Sequence, residues 1–229
     1  MRILLKLSGE ALAGPNKTGF HEDTVRGVAL QVKKILEGNQ VEIVIGGGNF
    51  WRGRTSENID RVKADQIGML ATVMNCIYVS EIFRSTGMET EIMTPFQCSS
   101  FTTLFSKDAA ISALKAGKVV FFAGGTGHPY FSTDMGTVLR AVETEADAVL
   151  LAKSIDGVYD DDPATNPNAT KFDEISLSEV VKRGLKVVDT TASALALENK
   201  MPFMVFDLNE PDSIVNALSG KFNGTRVTV

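Results

Sequence analysis

At 229 residues, with 44% apolar and 22% charged side chains, the chain has an ordinary globular makeup and enough length for one compact domain or two lobes. Its net charge of −5 argues against a general nucleic-acid binder, because no basic field is present to attract a polyanion. Cys76 and Cys98 are too few and too isolated for a disulfide framework or a zinc site, and read as free thiols in a reducing compartment.

The first predicted strand covers residues 3–7 and runs into Ser8-Gly9-Glu10. One arginine and three apolar residues precede Lys6, too short a stretch for a signal peptide. Residues 14–19 read as a loop. Val25, Val28, Ala29, Val32, Ile35 and Leu36 recur at helical spacing, so a helix covers residues ~24–37 and Gly38-Asn39 ends it. Residues 41–45 are β-branched and apolar, a buried strand. They pass directly into Gly46-Gly47-Gly48-Asn49, followed by Arg52-Gly53. Glycine takes positive φ freely and lets backbone N–H groups approach a ligand, so this turn reads as an anion nest, for phosphate above all. The forked donors of Arg52 suit the same oxygens.

A second helix, at ~64–84, is apolar at Ile67, Leu70, Met74, Ile77 and Phe83, with Met69, Val73, Tyr78, Val79 and Ile82 widening the face. So broad a surface is either deep core or a subunit interface. A strand at 91–93 stops at Pro95, a helix at 107–116 ends at Gly117, and a strand at 119–123 enters Gly124-Gly125-Thr126-Gly127. Ser132-Thr133-Asp134 are capping types for a helix reaching residue 145. After a strand at 148–152, residues 153–175 are rich in Asp, Asn, Pro and Thr and read as one long functional loop. Ser176-Leu177-Ser178-Glu179 is a capping box. A helix at ~190–200, a strand at 203–206, a helix at ~211–219 and a strand at 225–229 complete the chain. No run approaches the ~20 apolar residues of a membrane helix, so we expect a cytoplasmic protein with no membrane partner.

Strands alternating with helices predict an α/β fold: a three-layer αβα sandwich around a mostly parallel central sheet. We place a division near residue 150, between an N-terminal lobe, 1–150, and a smaller C-terminal lobe, 151–229, within one continuous unit. The three glycine exits, at 8–10, 46–48 and 124–127, should share the edge where open α/β sheets bind ligands.

Several chemistries lack their residues. No G-x-x-x-x-G-K-[ST] occurs, no G-x-G-x-x-G follows a strand, and there is no nucleophile elbow. His21 and His128 are the only histidines. So few histidines leave little material for a Ser–His or Cys–His pair. Lys6 lies among Leu4, Leu5 and Leu7, where it either pairs with an anion or snorkels to solvent. Asp134 and Asp189 read as helix caps, as site carboxylates, or as both. Asp160-Asp161-Asp162 lacks EF-hand spacing and reads as a solvated turn, and Trp51 reads as packing.

The residues resemble one family closely. Lys6-Leu7-Ser8-Gly9-Glu10-Ala11-Leu12 comes first, then Gly46-Gly47-Gly48-Asn49 with Arg52-Gly53, then Asp65 with residues 68–75. Thr126-Gly127-His128-Pro129-Tyr130-Phe131-Ser132-Thr133-Asp134 follows, and Asp156-Gly157-Val158-Tyr159, Asp162-Pro163 and Val188-Asp189 complete the series. In this order, over nearly the whole chain, they resemble the bacterial uridylate kinase group of the amino-acid-kinase superfamily. The resemblance implies transfer of the γ-phosphoryl group of ATP to UMP, giving UDP and ADP, in pyrimidine nucleotide biosynthesis. It implies Mg²⁺ bound mainly through nucleotide phosphates, with no metal ligands from the protein.

By the same resemblance, Lys6, Arg52, Asp134 and Asp189 are catalytic. ATP falls to Lys6, Leu7, Ser8, Gly9, Gly48, Arg52, Lys153, Tyr159 and Asp162. UMP falls to Gly47, Asp65, Thr126, Gly127, His128, Pro129, Tyr130, Phe131, Ser132 and Thr133. The resemblance further implies a homohexamer, a trimer of dimers with helix ~64–84 at an interface, UTP as an inhibitor at the UMP site, and GTP as an activator. The chain departs from the group in two places. Lys153-Ser154 replaces a Thr-Lys or Lys-Asn pair, and Glu91 stands where a basic residue would help hold GTP. Two rivals are a sister kinase with a small acidic acceptor such as carbamate, glutamate or aspartate, and a non-catalytic nucleotide sensor or anion-storage relative. Gly48-Asn49-x-x-Arg52-Gly53 and Thr126-Gly127-x-Pro129 disfavour the first, and the presence of the whole charged set disfavours the second.

Overall fold

The structure is a computed structural model that describes residues 1–51 and 58–229. Its first half runs β1 (Arg2–Leu7), α1 (Gly9–Ala13), α2 (Glu22–Leu36), β2 (Gln40–Ile45), α3 (Arg61–Ser85), β3 (Thr90–Thr94), β4 (Thr103–Leu104), α4 (Lys107–Lys115), β5 (Val119–Phe122) and α5 (Thr133–Glu143). The second half runs β6 (Ala148–Lys153), β7 (Val158–Tyr159), β8 (Lys171–Phe172), β9 (Glu174–Ser176), α6 (Leu177–Arg183), α7 (Thr190–Glu198), β10 (Phe203–Asp207), α8 (Ser213–Ser219) and β11 (Gly224–Thr228).

Among the described residues a nine-stranded sheet has the order β4-β3-β5-β2-β1-β6-β10-β11-β9. Its pairings are parallel except β10 with β11. The sheet crosses residue 150 without a break, because β6 pairs with β1 on one side and β10 on the other. Strands covered on both faces need apolar residues at every position, and the core is split accordingly. Ile3, Leu5, Leu7, Val41, Ile43 and Ile45 pack with α2, α3 and α8 on one face. Leu4, Val44, Val120, Phe122, Val149 and Leu151 pack with α4, α5, α6 and α7 on the other. Strand alternation therefore puts Lys6 and Lys153, at the ends of β1 and β6, on the α5 side.

Three expectations need correction. Residues 153–175 are not one structureless loop: β7 and β8 form an antiparallel hairpin, and β9 begins at Glu174 and pairs with β11. Segments of two or three residues are too short to show a period in sequence; the two-residue β4 escaped for the same reason. Asp134 does not cap α5. Ser132 does, accepting from Met135 N at 3.0 Å, which leaves the Asp134 carboxylate for another partner. Finally, α3 is by length and composition apolar enough to cross a membrane. Its residues divide sharply. Val73, Cys76, Val79 and Phe83 are buried in the core, while Ile67, Leu70, Met74 and Ile77 form an exposed stripe at helical spacing.

Glu42 is a charge-bearing residue inside the sheet. Its Oε2 accepts from Thr144 at 3.0 Å, and Oε1 has no hydrogen-bond partner. Burial pushes its carboxyl up to about 8, against the hydrogen bond from Thr144 and the charge of Arg2. Between the ordinary carboxylate range and about pH 8, the folded state holds a proton that the unfolded chain has lost. Stability should therefore fall as pH rises through that window, by up to about 1.4 kcal/mol per unit. Glu42→Gln should flatten the dependence. Melting temperatures of both proteins from pH 5 to 9 test this, and parallel curves would refute it.

Candidate active site

The carboxyl ends of β1, β2 and β5 open into one cleft of about 340 Å³. Gly9, Gly46, Gly47, Gly48 and Gly125 all line it, so the three glycine exits do share a chamber. The site lies outside strand carboxyl ends, as ligand sites of open parallel sheets do.

The glycines serve two different needs. None of the triple at 46–48 has a positive φ, so conformational freedom is not what glycine supplies there. Gly47 and Gly48 are small because of what they touch. A Cβ at Gly47 would lie 3.1 Å from Ala71 Cβ and from Gly68 O, and one at Gly48 would lie 2.6 Å from Glu10 Oε1. A Cβ at Gly9 would meet Gly46 O at 2.3 Å, so α1 begins in direct contact with the turn after β2. In the loop after β5 the need is conformational: φ is +81° at Gly124, +58° at Gly125 and +81° at Gly127.

Lys6 Nζ lies 3.0 Å from Asp134 Oδ1, with side chains only 15% and 25% exposed. The pair exists because Lys6 ends β1 on the α5 side and Asp134 sits in the first turn of α5. Lys153 lies close enough for its charge to feel both. Burial pushes the Lys153 ammonium below the usual lysine range, Asp134 opposing and Lys6 reinforcing the shift, and its Nζ donates to Val187 O. Asp134 thus lies within charge range of two ammonium groups, Lys6 and Lys153, both of which an anionic ligand placed there would meet. Asp189 does both things that its type allows. Oδ1 accepts from Ala192 N at 3.0 Å to cap α7, and Oδ2 accepts from Ser132 Oγ. That contact locks the starts of α5 and α7 together.

On the opposite wall Asp65 Oδ2 accepts from Tyr130 N and from Arg61 Nε, both at 2.8 Å, and the Arg61 guanidinium lies 5.4 Å from the Tyr130 ring centre. Helix α3 thereby holds the loop after β5. Trp51 donates from Nε1 to Ala64 O at 2.8 Å, and its ring lines the cleft as well as packing.

The structure brings Lys6, Ser8, Gly9, Gly47, Gly48, Asp65, Thr126, Phe131, Ser132, Thr133, Asp134 and Asp189 to this cleft. Leu7 is in the core instead, its carbonyl accepting from Gly46 N at 3.0 Å. Gly127, His128, Pro129 and Tyr130 belong to the loop after β5, yet are not among the residues lining this cleft; His128 and Tyr130 are exposed. Arg52 lies outside the described residues. Lys153, Tyr159 and Asp162 line a second cavity of about 410 Å³, together with Asp160, Asp161, Arg183 and Lys186. Tyr159 donates to Asp156 Oδ1 at 2.7 Å, and Asp156 also takes Lys171 at 2.9 Å. Burial works against the Asp156 carboxylate, but these partners hold it below its usual range.

Arg61, Thr72, Arg183 and Lys186 were not picked out from the sequence. Thr72 and Asn75 lie seven and ten residues after Asp65, on the same side of a helix, a polar period that was there to be read. Among the described residues no group of three His, Cys, Asp or Glu side chains could hold a metal ion. Asp134 and Asp189 face the cleft with protein partners already in place, a donor set that fits Mg²⁺ arriving on nucleotide phosphates.

The amino acid kinase family profile matches residues 1–207. The chain is similar in structure to the UMP kinase of Ureaplasma parvum, with a TM-score of 0.96 and 35% identity over 100% of this chain and 99% of that one. It is similar to the UMP kinase of Bacillus anthracis, with a TM-score of 0.95 and 35% identity over 99% and 95% of the two chains. The uridylate kinase of Archaeoglobus fulgidus matches over the full length of both chains, with a TM-score of 0.77 and 26% identity.

Proposed function

The chain belongs to the amino acid kinase family, and on that premise we propose that it transfers the γ-phosphoryl group of ATP to UMP, yielding UDP and ADP in pyrimidine nucleotide biosynthesis. The observation that carries this reading is the Lys6–Asp134 pair, in one cleft with three glycine turns, with Lys153 bridging towards a second cavity. Two cavities, one lined by Lys6 and the other by Lys153, suit two phosphorylated molecules set end to end.

In this reading UMP occupies the cleft between Asp65 and residues 124–133, with its ribose towards Asp65 and its phosphate towards Thr126 and the start of α5. A helix N-terminus favours that anion. ATP lies across β6, its base side near Tyr159 and Asp162 and its phosphates reaching Lys153, Gly48 and Lys6. The acceptor oxygen is already ionised, so no side chain needs to remove a proton. Lys6 neutralises charge on the moving group, and Asp134 keeps its ammonium aimed. Asp189 holds Ser132 and the two helix starts in register. Mg²⁺ supplies further charge neutralisation when it arrives with the nucleotide. Residues 1–150 thus carry the acceptor side and residues 151–229 most of the donor side.

The exposed stripe of Ile67, Leu70, Met74 and Ile77 supports self-association through α3, with a second copy covering it in a homohexamer built as a trimer of dimers. UTP, sharing the uridine of UMP, fits as an inhibitor at the acceptor loop. For GTP activation the charges are adverse. Glu91 is held by Lys118 at 3.0 Å and Thr103 at 2.5 Å. It lines a cavity where Glu81 and Glu91 outnumber Arg84 among the described lining residues. The free thiols Cys76 and Cys98 support a reducing, cytoplasmic setting.

A coupled assay with ATP and a panel of UMP, CMP, carbamate, glutamate and aspartate should show turnover with UMP. Turnover with an acid alone would establish the sister-kinase reading, and calorimetric binding without turnover the sensor reading. Lys6→Ala should lower kcat by roughly a hundredfold or more, with little change in melting temperature. Asp189→Asn keeps a capping side chain and should likewise cost turnover rather than stability. Near-normal kcat in either variant would remove that residue from its role. Leu70→Glu with Met74→Glu should reduce the sedimentation coefficient to that of a smaller assembly; an unchanged value would place the interface elsewhere.

A further inference from the structure

Helix α3 is bonded to two of the three glycine turns, through different side chains. Asn75 Nδ2 donates to Gly46 O at 2.7 Å and to Asn49 Oδ1 at 2.8 Å. Asn49 Nδ2 answers Asn75 Oδ1 at 2.9 Å and reaches Gly19 O at 2.8 Å. The two amides are 0% and 2% exposed, so a lost bond would strand a buried polar group. One turn earlier, Thr72 Oγ1 accepts from Gly124 N at 2.8 Å while donating to Met69 O at 2.6 Å. An α-helix rises about 1.5 Å per residue and does not stretch. The spacing of residues 72 and 75 therefore holds the two turns at a separation that neither loop determines by itself.

We propose that Thr72 and Asn75 are positioning residues: α3 sets the gap between the donor-phosphate turn at 46–49 and the acceptor turn at 124–127. Thr72 acts through Gly124, and Asn75 acts through Gly46 and Asn49. An error of about an ångström at a reacting centre is costly, so a gap fixed by a helix is worth having. The inference rests on the assignment of the two turns to ATP and UMP made above.

The test is steady-state kinetics on the full chain with ATP and UMP varied separately, alongside thermal melting. Thr72→Val keeps the shape and removes the acceptor oxygen. It should raise KM for UMP about tenfold, the equivalent of one hydrogen bond, and leave KM for ATP within about twofold. Asn75→Leu should raise KM for ATP through the turn that carries Gly48, and KM for UMP with it through Gly47. Thr72→Ser keeps the oxygen and should restore the UMP value. If Asn75→Leu does not fold, the two Thr72 variants decide. Thr72→Val moving both KM values together, or only the melting temperature, would overturn the proposal, as would a Thr72→Ser no better than Thr72→Val. A wild-type protein inactive with UMP would instead defeat the assignment of the turns. Amide exchange then decides the helix contacts: Thr72→Val should accelerate exchange at 124–127 and leave 46–49 unchanged, and equal acceleration at both would overturn the proposal.

Discussion

An ammonium group at the end of a buried strand is the constraint around which this molecule is arranged. Lys6 follows Leu4 and Leu5 out of the middle of a nine-stranded sheet, and its charge cannot be left without a partner there. Asp134 meets it at 3.0 Å. For that to happen α5 must begin over the carboxyl edge of β1, and it does so because Ser132 caps it and Asp189 grips Ser132. The ion pair forms where the crossover from β5, the start of α5 and the start of α7 converge. The same convergence sets Lys153 within charge range of both members of the pair.

Helix α3 ties this edge of the sheet to the outside of the molecule. One of its ridges carries Asp65, Thr72 and Asn75, each bonded to a loop at the cleft. Another carries the exposed Ile67, Leu70, Met74 and Ile77. The inward face of α3 also carries the buried Val73, Cys76, Val79 and Phe83, so the exposed ridge is a second apolar face, beyond the one a surface helix needs. Anything that covers the outer ridge is one helix diameter from the two turns that face the cleft.

Much of this was visible in the residues. The alternation of apolar strands with helices determined the layered sheet, since a parallel sheet must be covered on both faces. The order of glycine exits after strands located the cleft, because strand ends of one direction share an edge. Lys6 and Asp134 were both legible as residue types in need of partners. The short β4, β7, β8 and β9 were not legible, as segments so brief carry no period and exist only by pairing with other strands. The close approach of Gly47 to Ala71 and Gly68 of α3, and of Gly9 to Gly46, was not legible either, since such neighbours are distant in the chain.

The sequence by itself therefore determined the class of fold, the edge that carries the site and the charges available there, since local pattern and residue chemistry are enough to establish each. Only the tertiary structure decided which partner each charge would take. It paired Lys6 with Asp134, gave Asp189 both a helix cap and Ser132, withdrew Leu7 into the core and put Thr72 and Asn75 under the two turns. Pairing depends on which strand lies beside which and which face a helix covers. Those are long-range choices made by the sheet order and the crossovers, and no window of neighbouring residues contains them.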